Sequence, residues 1–256
     1  MGSEMCIRDR DSITQKRRRL VFLIIALLAM CFWLEACVVH VHAHEDRDYG
    51  PTKTEQRDLN GFTGVDAGGV FDIMITPAAG YSVSIEAGQE LLPLIKTRVS
   101  NDTLKIKFDR NVNNAGEVKV VIGMPALDHV DLSGASSLQV EQGFESENFS
   151  LDMSGAASTK LDIAVNELQV DLSGAADLEL AGKAYTLELD ASGAAEISAE
   201  DMVVRDAQID LSGASEIYLN VTNDLVVEAS GASEITCVTS PQMTMIDTSG
   251  MSDISC

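Results

Sequence analysis

The sequence predicts an all-β protein whose main domain is a single-stranded parallel β-helix, a right-handed solenoid. Three observations lead there. A Ser-Gly turn returns seven times, with its serine at Ser133, Ser154, Ser173, Ser192, Ser212, Ser230 and Ser249, in steps of 21, 19, 19, 20, 18 and 19 residues. Self-similarity at such a period is the mark of a repeat architecture. Apolar residues recur at fixed offsets from that serine. Aromatic residues make up only 5% of the chain, which suits stacked aliphatic strands.

The elements follow in chain order. Residues before Lys16 include "MCIRDR", which resembles a translated adapter sequence, and they are set aside. Lys16 to Arg19 is positively charged, and Leu20 to Leu34 is an apolar run of 15 residues. That is the length of a signal-peptide core and short for a membrane span. "LEAC" then resembles a bacterial lipobox, with Glu35 where a small or apolar residue is usual. It predicts lipidation of Cys37; cleavage after Ala43 or an uncleaved anchor are the alternatives. Val38 after the cysteine favours the outer membrane of a Gram-negative bacterium. Residues 1–37 are thus expected as the signal and lipoprotein segment, 38–58 as a flexible tether, and 59–256 as the β domain. His40, His42 and His44 alternate in the tether. They could gather a transition metal as a strand, or be a histidine-rich linker.

Residues 60–125 read as strands separated by Gly, Asn and Asp clusters, among them "GVFDIMIT" (69–76), "YSVSIEA" (81–87), "TLKIKF" (103–108) and "VKVVIGM" (118–124). From about Ala126 the repeat takes over. Three residues before each turn serine stand Val130, Leu151, Val170, Leu189, Ile209, Val227 and Ile246. Five after it stand Leu138, Thr159, Leu178, Ile197, Ile217, Ile235 and Ile254. Period-2 alternation puts these columns inside and the residues between them outside. One repeat of this size cannot bury enough apolar surface to hold itself, so neighbours must stack.

Two acidic columns face out. Two residues before the serine lie Asp131, Asp152, Asp171, Asp190, Asp210, Glu228 and Asp247; four after it lie Asp177, Glu196, Glu216, Glu234 and Asp253. Either they collect Ca²⁺, an oxygen-seeking cation, or they are turn acids that accept hydrogen bonds from the turn and keep the surface soluble. No other cofactor is expected. Cys237 and Cys256 share a column 19 residues apart, so they are either a disulfide or two stacked buried thiols.

The turns "DLSGAS", "DMSGAA", "DLSGAA", "DASGAA" and "EASGAS", with "GFTGVDAGGVFDIMITPAAGYSVSIEA" at 61–87 and "DTLKIKF" at 102–108, resemble the head GIN domain family of auto-transporter adhesins. The resemblance covers about 60–256. It implies a pectin-lyase-like β-helix, exported and surface-associated, with no agreed catalytic residues.

Charge narrows the partners. Lys+Arg is 18 and Asp+Glu is 40, a formal net charge of −22. Nucleic acid would be repelled. The expected function is non-enzymatic: adhesion or scaffolding by an envelope lipoprotein held to a membrane by its lipid. A glycan or surface protein is the expected ligand, and a polysaccharide-binding or polysaccharide-active protein is the alternative. Self-association is expected too, since the last repeat has no evident cap.

Overall fold

The computed structural model describes residues 49–112 and 115–256. Cys37, the signal segment and the histidines of the expected tether lie outside them. Eleven strands form one sheet: β1 (Thr52–Arg57), β2 (Gly64–Gly69), β3 (Asp72–Pro77), β4 (Ser82–Gly88), β5 (Ile95–Ser100), β6 (Thr103–Phe108), β7 (Lys119–Met124), β8 (His129–Gly134), β9 (Ser137–Cys237), β10 (Met243–Gly250) and β11 (Asp253–Ser255). A short 3-10 turn, Leu92–Leu94, joins β4 to β5.

The all-β expectation agrees with the structure, but the single-stranded parallel β-helix over 59–256 is corrected. The sheet is mixed. Nine strands lie on one path, β1-β4-β7-β3-β9-β8-β2-β6-β5, and curl into a nearly closed, barrel-like wall. Three of its pairings, β1·β4, β4·β7 and β5·β6, are antiparallel. Local chemistry explains one of them. Asn101 and Asp102 both adopt positive φ, 53° and 57°, in the two-residue turn between β5 and β6. Asn and Asp tolerate that conformation, and such a turn reverses the chain into an antiparallel hairpin. β1 also lies inside the segment expected as a tether, so ordered structure begins before residue 59.

The repeats themselves pair in parallel. β8 meets the first part of β9 with Val130 opposite Leu151 and Gly134 opposite Gly155. β10 meets its last part with Ile246 opposite Val227 and Gly250 opposite Gly231. β9 is 101 residues of extended backbone, bent at glycines of positive φ. Val170, Leu189 and Ile209 are all fully buried in one continuous core.

The turn glycine is dictated by close approach. A Cβ on Gly174 would land on the carbonyl oxygen of Gly155, and one on Gly193 on that of Gly174. The same contact links Gly134 to Gly69. Backbones this near leave room for no other residue. The column therefore begins one repeat earlier than its sequence signature: Val65, Asp66 and Gly69 stand opposite Val130, Asp131 and Gly134.

Candidate acid-lined grooves on either side of the glycine turn

Each turn sends two residues outward on its N-terminal side, the acid and the serine, because they are two apart on a strand. The serine hydroxyls do not go to the acids. Ser173 Oγ donates to the carbonyl of Met153 (3.4 Å), Ser192 Oγ to that of Leu172 (3.4 Å), and Ser230 Oγ to that of Leu211 (3.2 Å). Each of these three serines thus tethers its turn to the repeat before it. Asp171 is met instead by Gln169 Nε2 at 3.1 Å, and Asp210 by Gln208 Nε2 at 3.4 Å.

The acids and serines line a groove of about 710 Å³, with Asp131, Asp152, Asp171, Asp190, Asp210, Glu228 and Asp247 along it. Asp66 continues the column, and Lys105 of β6 stands next in it and forms an ion pair with Asp66. None of the ion pairs among the described residues involves Asp131 to Asp247. The column therefore carries its charge against itself. Burial, and then the charge of Asp66, push the Asp131 carboxyl above its ordinary value. Burial with Asp171 and Asp131 does the same for Asp152, and burial with Asp210 and Asp171 for Asp190.

A second groove, about 1120 Å³, runs on the other side of the turn. Its floor is the alanine that follows the glycine, as in Ala175, Ala194 and Ala214, and its rim is the other acid column, Asp177, Glu196, Glu216, Glu234 and Asp253. Asp72 begins that column, one repeat before Ser137, whose hydroxyl donates to it at 2.9 Å. Ser215 and Ser233 lie at its base, buried, without a hydrogen-bond partner for their hydroxyls.

The structure therefore puts the two predicted acid columns in two separate grooves. Among the described residues no three His, Cys, Asp or Glu side chains converge on a metal position. Cys237 and Cys256 are bonded, with Cα atoms 4.6 Å apart. His129 is half-buried; its Nε2 lies 3.0 Å from Thr103 Oγ1, and its ring covers the backbone of Gly64. Sequence reasoning missed Asp66 and Asp72. "VDAGGVFDIMI" repeats the spacing of "VDLSGASSLQV", but Gly68 stands where the turn serine should be.

Residues 61–241 match the family described as "Putative auto-transporter adhesin, head GIN domain". The chain belongs to this family. Its fold is similar to solved structures from Bacteroides and Parabacteroides species. A protein titled putative adhesin from Bacteroides fragilis is 22% identical, with a TM-score of 0.72, over 80% of this chain and 96% of its own. A protein titled putative lipid binding protein from Parabacteroides distasonis is 18% identical, with a TM-score of 0.63, over 81% and 98%. A further putative adhesin, from Parabacteroides merdae, is 15% identical, with a TM-score of 0.56, over 80% and 96%. No curated protein matches the chain. Membership makes this head GIN protein adhesin-like, of an exported or surface kind, and neither the family nor these neighbours carries an enzyme's name.

Proposed function

We propose that this head GIN protein is a non-enzymatic surface adhesin, held to the outer membrane of a Gram-negative bacterium by a lipid on Cys37. The acid-lined groove beside the turn serines carries this reading. It repeats one chemistry at every rung and contains no singled-out acid-base pair, so it suits contact along an extended partner rather than turnover at a point. The partner is a surface protein or glycan bearing positive or no charge, because seven stacked carboxylates with one lysine, Lys105, at the end of their column repel an anionic one. Asp131 to Asp247 are the contact residues.

A binding array of matrix proteins and glycans tests this. The full chain in detergent should retain cationic or neutral ligands, and Asp171→Asn with Asp190→Asn should weaken that retention severalfold. Turnover on a polysaccharide panel, abolished by one Asp or Glu change, would contradict it. Metabolic acyl labelling should vanish in Cys37→Ala; labelling that persists would remove the anchor.

The alanine-floored groove supports a second reading, lipid binding, because its lining is mostly apolar and a structural neighbour carries that description. Partition of the chain onto neutral vesicles, lost in Ala194→Glu, is the result this reading expects.

A further inference from the structure

We propose that the β10–β11 edge docks the opposite edge, β5 with β1, of a second copy of this chain, so that copies join head to tail. Three observations lead there.

The first is the exposed apolar surface of the last rung. Met243 and Met245 are 62% and 64% exposed, and Ile246 is 45% exposed. Ile246 sits in an inward column, and its partner one rung back, Val227, is 1% exposed. The core therefore runs out to this edge without being covered. Among the described residues no strand pairs with the outer side of β10 or β11. An open apolar edge of this kind is a template for another strand.

The second is topology. The sheet has two arms. One runs from β5 through β6, β2 and β8 to β9 and β10; the other runs from β1 through β4, β7 and β3 to β9 and β11. Continuing the stack with a second copy sets its β5 beside β10 and its β1 beside β11. β5 is antiparallel to its arm, and β1, reversed twice, is parallel to its own. Both pairings are ordinary sheet geometry.

The third is charge. β5 exposes Lys96, 3.9 Å from Asp109, and Arg98, and β1 exposes Lys53, with Glu55 taken up by Arg57 at 3.0 Å. The other edge exposes Asp247 and Asp253. Head-to-tail contact sets opposite signs together, whereas tail-to-tail contact would set Asp247 against Asp247. A heterologous contact of this sort repeats, giving rings or open chains.

Sedimentation of the full chain in detergent, over a range of concentrations, tests the proposal. Two charge reversals are compared: Lys96→Glu with Arg98→Glu, and Asp247→Lys with Asp253→Lys. Both alter exposed side chains, and unchanged circular dichroism confirms their folding. The wild type should associate, less so as salt rises. Each variant alone should associate at least tenfold more weakly. An equimolar mixture of the two variants should recover wild-type association, because every head then finds a tail of opposite charge. A wild type that stays monomeric at every concentration overturns the proposal. So does a variant that associates as strongly as the wild type alone, or a mixture that recovers nothing.

Discussion

At the β5 end of the stack, Phe62, Leu91 and Leu92 are buried, and a 3-10 turn and two antiparallel pairings fold back over the core. At the β10 end, Ile246 stands in an inward column yet is exposed, Met251 is 82% exposed, and every residue of β10 is exposed. The same aliphatic columns thus meet a built cap at one end and solvent at the other. Repetition alone can propagate a core but cannot end it, because each rung needs a neighbour on both sides. The cap is made by residues that break the repeat: aromatics, a hairpin at Asn101 and Asp102, and a strand, β1, with no apolar alternation. The open end is held by the bond from Cys237 to Cys256 instead.

Four experiments break or sharpen that contrast, the largest effect first. Gly193→Ala places a Cβ on the carbonyl of Gly174 at a φ of +126°. It should cost at least about 3 kcal/mol, from backbone strain plus displacement of a whole rung. Gly80→Ala, outside the stack with nothing within 4 Å, should change the melting temperature little. Equal effects of the two would mean that the rungs are not in close register.

Replacing Cys237 and Cys256 by Ser opens a loop spanning 19 residues, a loss of about 3 kcal/mol at most. It should appear locally, as faster exchange in β10 and β11, with the β5 end untouched. Loss of structure at both ends together would show that the tail supports the whole domain.

Asp171→Asn removes a charge that Asp152 and Asp190 both feel. Like charges one rung apart repel by about 0.9 kcal/mol in water. Screening at this half-exposed surface reduces that, so stabilisation should stay below about 1 kcal/mol. Destabilisation by this change would show that Asp171 is a structural acceptor rather than a source of repulsion.

The smallest effect is on pH. The carboxyls of Asp131, Asp152 and Asp190 are raised, so the folded protein binds their protons more tightly than the unfolded chain does. Their contribution opposes folding at neutral pH and fades as pH falls through the raised values toward the ordinary 3.8. Asp206 acts oppositely. It is lowered chiefly by the Asn223 side-chain hydrogen bond, and its contribution is lost only as pH falls below the ordinary value. Mild acidification from neutral should therefore raise the melting temperature slightly. A steady fall across that range would mean that paired acids outweigh the column.

The repeating half of the molecule was legible because its signal is redundant. Seven turns and two apolar columns all say the same thing about which residues face in. The non-repeating half was not, and the β-helix reading gave way to one mixed, barrel-like sheet in which both halves take part. Gly68 conceals the first turn. A long insertion also separates Asp72 from its partner Ser137, so no fixed period connects them. The hairpin signal at Asn101-Asp102 was present in the sequence, but an Asn or Asp between strands does not by itself fix their direction. β1, "TKTEQR", is polar throughout because it is an edge strand with both faces wet. Of the candidate site, the acid columns were legible as columns; their division between two grooves was not, because that depends on the bend at the glycine. The tethering of Ser173, Ser192 and Ser230 to carbonyls of the preceding repeat was hidden for the same reason, since the bond is between repeats rather than within one.

Amide hydrogen exchange followed residue by residue, on dilute protein with the disulfide intact, tests the contrast between the two ends most directly. Strong protection should extend from β5 and β6 through Val130 to Ile235, with β10 and β11 opening first. Exchange that begins at β5 and β1 while β10 stays protected would contradict a capped head and an open tail.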